Sequence, residues 1–138
     1  MGYITENAMK QISESFGRRI KENGITRIQW IALYYIQCKG PISQRDLSRS
    51  LNVKDSSVGR LLDRLERDGQ IIRKQKETDR RITMVSLTDE GDQLITSLLP
   101  LGDKFNEDLN EGISDEEMLI FSKVLNKMTS NVLEEHNS

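Results

Sequence analysis

The segment from residue 71 to 87 most constrains the fold, because it carries a β-hairpin pattern inside a chain that is otherwise helical in pattern. Two strand-like runs, IIRKQK at 71–76 and ITMVSL at 82–87, flank the charged stretch ETDRR. Alternating side chains between polar turn residues are typical of paired strands. We therefore predict a hairpin whose tip is charged and faces solvent.

Two short helix patterns precede the hairpin. The first, SQRDLSRSL, opens with Ser43 three positions before Asp46, a variant of the capping box. The second, DSSVGRLLDRLERDG, has an apolar face of Val58, Leu61, Leu62 and Leu65, and ends at Gly69. Its polar and basic residues lie largely away from that face. Two short helices with an exposed basic side, followed by a hairpin, predict a winged helix-turn-helix.

Longer helix patterns flank this core on both sides. Residues 3–22 carry an apolar residue at every fourth position, and residues 26–39 are apolar on nearly every side, which predicts a buried helix. Thr88 caps a helix that extends to about residue 110, and Pro100 inside it is expected to kink or interrupt it. We predict one domain over residues 1–138, mainly α with a small β-hairpin wing.

The chain ends are predicted to form a dimer. Ser114 and Glu117 form a capping box at the start of the last helix, whose apolar residues follow at steps of three and four. Packing within one chain also explains such spacing. We place the winged core at about 26–90 and dimerisation helices at about 1–24 and 91–138, with these interface residues: Ile4, Ile12, Met118, Phe121, Leu125, Met128 and Val132.

Positive charge is concentrated in one segment of a chain whose net charge is -2. Residues 39–82 hold 12 Lys and Arg against 7 Asp and Glu, a net charge of +5, and the rest of the chain holds 8 against 15. Such a concentration favours a polyanionic partner. A chance excess on a solvated surface explains the same charges, so charge alone leaves both alternatives open.

Composition and residue content argue against several other classes of protein. The longest apolar run, WIALYYI at 30–36, is far shorter than the roughly 20 residues of a membrane helix, so we expect a cytoplasmic protein. Cys38 is the single cysteine and is expected to be a small buried hydrophobe rather than a thiol sensor. The only histidine, His136, stands near the end of the chain, and no metal-ligand cluster or catalytic motif is present. We predict neither enzyme activity nor a cofactor.

The spaced residues Asp79-x-Arg81-x-x-x-Val85-x-Leu87-Thr88-x-x-Gly91 resemble the wing signature of the multiple-antibiotic-resistance regulator (MarR) family of bacterial winged-helix transcription factors. SVGRLLDRLERDG resembles the recognition helix of that family, and SDEEMLIFSKVLNKM its closing dimer helix. The resemblance implies a homodimer with interleaved terminal helices that binds pseudo-palindromic operators. In many members of that family a small, often anionic aromatic ligand weakens DNA binding, so the resemblance raises the question of such an effector for this chain.

One position departs from the family pattern. Gly59 stands before the recognition-helix arginine, where the family usually has threonine or serine. Glycine within a helix costs about 1 kcal/mol relative to alanine. It either allows closer approach of the backbone to DNA or removes a base contact, so the operator preference of relatives does not transfer.

DNA contacts are predicted from residue type and position. Arg60 is suited to bidentate bonding with guanine, and Arg64 either reads bases or pairs with a carboxylate of its own helix. Arg81 is expected to enter a minor groove with its guanidinium held by Asp79, while Arg80 contacts phosphate. Base reading is assigned to Ser56, Ser57, Arg60 and Arg64, and phosphate contacts to Gln44, Arg45, Lys54, Lys74 and Lys76.

An effector pocket is a further expectation from the family arrangement. It would be lined by Phe16, Arg19, Trp30 and Tyr34, with Tyr35 nearby. Packing in the core is the stronger interpretation of Trp30, because aromatic residues at helical spacing are more often part of a core than of a ligand site. The leading hypothesis is a dimeric, sequence-specific repressor that binds double-stranded DNA. The rival is a winged module that binds a partner protein, or any DNA sequence, as an architectural element.

Overall fold

The computed structural model describes residues 2–137, with side chains described for residues 2–133, so the side chain of His136 lies outside the described part. The fold is mainly helical with a small antiparallel sheet, as predicted. Its elements are, in order, α1 (Gly2–Lys21), α2 (Arg27–Lys39), β1 (Ile42–Ser43), α3 (Gln44–Leu51), α4 (Asp55–Arg67), β2 (Ile71–Lys76), β3 (Asp79–Leu87), α5 (Asp89–Leu109) and α6 (Asp115–Asn137). The chain divides into two compact units, one ending at Asp103 and the other beginning at Lys104.

The sheet of the first unit has three strands in the order β1-β3-β2. The predicted hairpin is present, but its charged tip was placed wrongly: β3 begins at Asp79, so only residues 77–78 form the turn. An irregularity between Gln75 and Lys76 lets the ladder continue to a Lys76–Asp79 pair. Strand β1, which pairs Ile42 with Val85, was not predicted, because a strand of this length carries no alternation pattern.

The core of the first unit gathers the apolar faces of its helices and sheet. Its most deeply buried large side chains are Ile20, Leu33, Ile36, Leu47, Val58, Leu62, Leu65, Ile71, Val85 and Ile95. The regular stripe of α1 is buried only toward its C-terminal end, since Phe16 and Ile20 are buried whereas Ile4 is 66% exposed. Helix α2 is likewise not buried on every side, because Tyr34 is 40% exposed.

Cys38 is exposed, which corrects the prediction of a buried thiol. The buried positions of α2 are Gln29, Ala32, Leu33 and Ile36. Two residues after Ile36 the helix has turned by about 200°, which places Cys38 on the opposite side. The correction therefore follows from the helical period once the buried face is known.

The predicted caps mark where α3 and α5 begin. The Ser43 hydroxyl accepts a hydrogen bond of 3.0 Å from the Asp46 amide at the start of α3. The Thr88 hydroxyl likewise accepts from the Gly91 amide at 3.0 Å and also lies 2.6 Å from the Gly69 carbonyl oxygen. Thr88 thus ties the end of the wing to the turn after α4 as well as capping α5.

Helix α5 is not interrupted at Pro100, contrary to one of the two expected outcomes. Trp30 contacts the helix on both sides of the proline, because its indole nitrogen donates to the Leu98 carbonyl at 3.1 Å and its ring lies against Gly102. A proline removes one bond of the helical ladder. The tertiary contacts with Trp30 stabilise the helix on both sides of the proline and so favour its continuation.

The second unit holds the end of α5 and the whole of α6. The predicted capping box is present, since Ser114 and Glu117 exchange side-chain to amide hydrogen bonds of 3.1 Å each. Of the predicted dimer stripe, Met118 and Leu125 are half-buried. The large apolar side chains that α6 exposes are Leu119, Ile120, Phe121, Val124, Met128, Val132 and Leu133.

Candidate nucleic-acid interface

The exposed side of α4 carries all four residues predicted to read bases. Ser57, Arg60 and Arg64 follow one another at steps of three and four and therefore share one helix face, with Ser56 at its edge. All four are exposed, while Val58, Leu62 and Leu65 bury the opposite side. Helix α4 thus exposes a polar and basic face, while its opposite face is packed into the core.

A buried serine, which no sequence pattern indicated, fixes the turn between α3 and α4. Ser48 is 4% exposed, and its hydroxyl lies 2.9 Å from the Val53 carbonyl oxygen and 2.7 Å from the Asp55 carboxylate. Asn52 ends α3 in the left-handed conformation, with φ of 52°. The turn geometry therefore depends on side chains that a hydrophobic pattern does not reveal.

The wing displays a guanidinium that is clamped yet exposed. Arg81 donates from Nε and Nη2 to the two carboxylate oxygens of Asp79 at 3.0 Å each, and its amide donates to the same carboxylate at 3.1 Å. The Arg81 side chain is 90% exposed. The guanidinium lowers the pKa of the Asp79 carboxyl, and the carboxylate raises the pKa of Arg81. The predicted Asp79–Arg81 pair is present, and Arg80 beside it is exposed.

An open groove of about 1120 Å³ runs between the wing and the start of α3. It is lined by three of the predicted phosphate contacts, Gln44, Arg45 and Lys76, together with Arg81. Acidic side chains, among them Asp46, also line it. The other two predicted contacts, Lys54 and Lys74, are exposed elsewhere on the same unit.

Arg73, which was not among the predicted site residues, links the wing to α4. Its Nη2 donates to Asp63 Oδ1 at 2.6 Å and to Glu66 Oε1 at 3.0 Å, and its amide donates to Glu66 Oε2 at 3.2 Å. Both carboxylates belong to α4, the helix on which Arg64 was expected to find a carboxylate partner, and both contact Arg73. The alternation of side chains along β2 could have indicated that Arg73 is not a free surface charge, because it places Arg73 on the same side of the strand as buried Ile71.

Gly59 occupies an open position on α4. A Cβ atom there would meet nothing closer than Gln44 Nε2 at 4.0 Å. Packing within the first unit therefore does not require glycine at this position. Its effect on DNA recognition stays a prediction.

The aromatic residues predicted for an effector pocket pack against one another. Trp30 meets Phe16 edge-on, with ring centroids 5.1 Å apart, and stacks on Tyr34 at 5.4 Å. Tyr35 contacts Tyr34 at 6.4 Å. A hydrogen bond with the Cys38 thiol raises the pKa of the Tyr34 phenol. This arrangement gives Trp30 a packing role, and an effector site that also uses Arg19 stays a prediction.

Within the described residues, no cluster of His, Cys, Asp and Glu has the arrangement of a metal site. In the same part of the chain, no helix combines the length and apolarity needed to cross a membrane.

Sequence comparison connects the chain to known proteins. Residues 25–83 match the profile of the MarR family. The uncharacterized HTH-type transcriptional regulator YdgJ of Bacillus subtilis strain 168 is 34% identical over 107 residues, which is 78% of this chain. The chain spans 64% of the length of YdgJ, just under two thirds.

Structural comparison gives the same fold over nearly the whole chain. The Staphylococcus aureus MepR–DNA complex matches with a TM-score of 0.84 and 26% identity, covering 94% of this chain and 96% of MepR. Bordetella bronchiseptica BpsR, whose DNA binding is regulated by 6-hydroxynicotinic acid, matches with a TM-score of 0.84, covering 94% of this chain and 92% of BpsR. At 21% identity, the match with BpsR establishes the fold alone.

Proposed function

Because this chain belongs to the MarR family of winged helix-turn-helix proteins, we propose that it is a homodimeric transcriptional repressor that binds a pseudo-palindromic operator. The observation that carries the proposal is the pairing, within one compact unit, of the exposed basic face of α4 with the clamped Arg81 of the wing. The expectation that the chain is not an enzyme is consistent with this family.

In the proposed complex, α4 enters the major groove. Arg60 then reaches base edges, where its planar guanidinium can bond a guanine at two acceptors, and Ser57 and Arg64 lie on the same face. The buried side of α4 holds these side chains in place. Side chains held in fixed positions on α4 would form hydrogen bonds with some base pairs and not with others, which would make binding depend on the DNA sequence.

The wing is proposed to enter the adjacent minor groove through Arg81. The bidentate contact with Asp79 orients the guanidinium before DNA arrives, so less side-chain entropy is lost on binding. A narrow minor groove concentrates negative potential and attracts such a side chain. Arg45 and Lys76, in the groove beside it, would contact phosphates and set the affinity.

The homodimer is proposed to form through the terminal helices. Phe121, Met128 and Val132 of α6 are between 40% and 60% exposed in the single chain, and Ile4 of α1 is 66% exposed. Apolar side chains at this density mark an interaction surface. A second copy of the chain would cover them and bring two copies of α4 to successive major grooves.

The proposal includes regulation by a small-molecule effector. DNA binding of the similarly folded BpsR is regulated by 6-hydroxynicotinic acid, a small aromatic molecule. Tyr34 is partly exposed at the edge of the aromatic cluster, where such a ring could stack. We expect a small aromatic or anionic molecule to lower the affinity for DNA.

Fluorescence anisotropy with labelled duplexes of mixed sequence tests DNA binding itself. We expect affinity to fall steeply with salt, and Arg81→Ala to lower it by more than the loss of one phosphate contact. Arg18→Ala removes the same charge from α1, outside the basic segment, and serves as the control. Unchanged affinity in Arg81→Ala, with the dimer folded, would contradict the role of the wing. Absence of any binding by the parent protein would overturn the proposal.

A further inference from the structure

Arg73 joins the two elements that the proposed function brings to DNA. It stands on wing strand β2, and its side chain contacts Asp63 and Glu66 on the flank of α4 at 2.6 and 3.0 Å. The backbone amide of Arg73 also donates to Glu66. The Arg73 side chain is only 21% exposed, so it is held between helix and strand rather than extended into solvent.

The two carboxylates create an electrostatic problem for a helix that enters a major groove. The side chain of Asp63 is 69% exposed and that of Glu66 is 42% exposed, on the same helix as Arg60 and Arg64. Uncompensated carboxylates there would repel DNA phosphates. A guanidinium that bonds both of them offsets this repulsion without occupying the exposed basic face.

We infer that Arg73 is a positioning residue for DNA recognition, a role that rests on the proposed function. It fixes α4 against β2, and it masks Asp63 and Glu66 from the phosphate backbone. In this role Arg73 acts through the recognition helix and the wing and does not itself contact DNA. Its substitution therefore has consequences that differ from the loss of a phosphate contact.

A mutant cycle separates these two roles. Arg73→Met is compared in the parent protein and in the Asp63→Asn/Glu66→Gln protein, with a duplex selected by the parent from a random library. We expect Arg73→Met to weaken binding by roughly tenfold or more in the parent, because two unmasked carboxylates then face the phosphates. In the neutralised protein the same change should weaken binding by only about the two- to threefold effect of one surface charge.

Lys74→Met is the matched control, since Lys74 is the next residue of β2 and is exposed. It should weaken binding by the same factor in both backgrounds, as expected for a phosphate contact. The same additive result for Arg73→Met would overturn the inference. If circular dichroism shows that Arg73→Met is unfolded, Arg73→Gln takes its place in the cycle, because it also removes the charge that masks the carboxylates but keeps a hydrogen-bond donor at this site.

Urea unfolding of the same variants without DNA tests the physical link separately. The clamp between α4 and β2 is supported if Arg73→Met lowers the free energy of unfolding less in the Asp63→Asn/Glu66→Gln protein than in the parent. Equal changes in both proteins overturn it. If the parent selects no duplex, the proposed function fails and the masking role fails with it. The unfolding cycle still decides whether Arg73 holds the helix to the strand.

Discussion

Trp30 lies directly against Gly102, so that a Cβ atom at residue 102 would stand 2.7 Å from Cζ2 and 2.9 Å from Cη2 of the indole ring. The ring cannot retreat easily, because Phe16 and Tyr34 pack against it and its nitrogen donates to the Leu98 carbonyl. The absence of a side chain at Gly102 is therefore what allows α2 and α5 to approach at this point.

Gly102→Ala should lower the free energy of unfolding by about 1 to 3 kcal/mol, because overpacking outweighs the better helix propensity of alanine. Gly59→Ala is the matched control, since its Cβ would enter open space, and it should raise the free energy of unfolding by up to about 1 kcal/mol. Urea unfolding of both variants measures the two changes. Equal stabilisation by both substitutions would contradict the contact between Trp30 and Gly102.

The sequence predicted those parts of the fold that depend on local patterns. The apolar spacing of Val58, Leu62 and Leu65 indicated the buried side of α4, and the caps at Ser43, Thr88 and Ser114 were recognisable from residue type and spacing. The Asp79–Arg81 pair was also predictable, because its members are two residues apart. Local hydrogen bonds and helical periodicity depend on residues only a few positions apart, so the sequence alone indicates them.

Features that depend on contacts between distant segments were missed. Arg73 meets partners that lie 7 and 10 residues away on another element, and β1 exists only because β3 pairs with it. Exposure of Cys38 depends on which side of α2 is covered. Local patterns restrict these features without identifying the partners: alternation along β2 places Arg73 on the same side as buried Ile71, but only the packing brings α4 against it.

The dimer proposal predicts a selective effect of charge on α6. Phe121→Glu should convert the protein from dimer to monomer and weaken DNA binding, because a carboxylate would be buried in the apolar interface. Its effect on the folding of the single chain should be small, since Phe121 is 55% exposed there. Sedimentation equilibrium measures the oligomeric state. Lys123→Glu, two residues further along and on the opposite side of the stripe, should leave the dimer intact.

Acid should weaken the clamp between α4 and β2. Arg73 holds the pKa of Glu66 below its ordinary value of 4.5, mainly through their side-chain hydrogen bond. Because the folded pKa is the lower one, this stabilisation is present above the ordinary value and is lost as the pH falls through the folded pKa. NMR titration of the Glu66 carboxyl carbon should show a midpoint below 4.5 that rises toward it in Arg73→Met. An identical midpoint in both proteins would contradict the clamp.

Cys38 should be accessible in the folded protein, because its side chain is exposed at the C-terminal end of α2. Ellman's reagent should therefore titrate one thiol per chain without denaturant. Protection that disappears only on unfolding would contradict the exposure of this residue. Cys38→Ser supplies the blank and should leave urea unfolding nearly unchanged, since surface substitutions usually have small effects.

Selection from a random duplex library at near-physiological salt decides whether a two-fold symmetric pair of α4 helices reads a DNA sequence. The bound fraction is sequenced after successive rounds of binding. We expect enrichment of a pseudo-palindrome whose half-sites lie about one helical turn, roughly 10 base pairs, apart. Binding without any enriched sequence would contradict this claim and favour an architectural, sequence-independent protein.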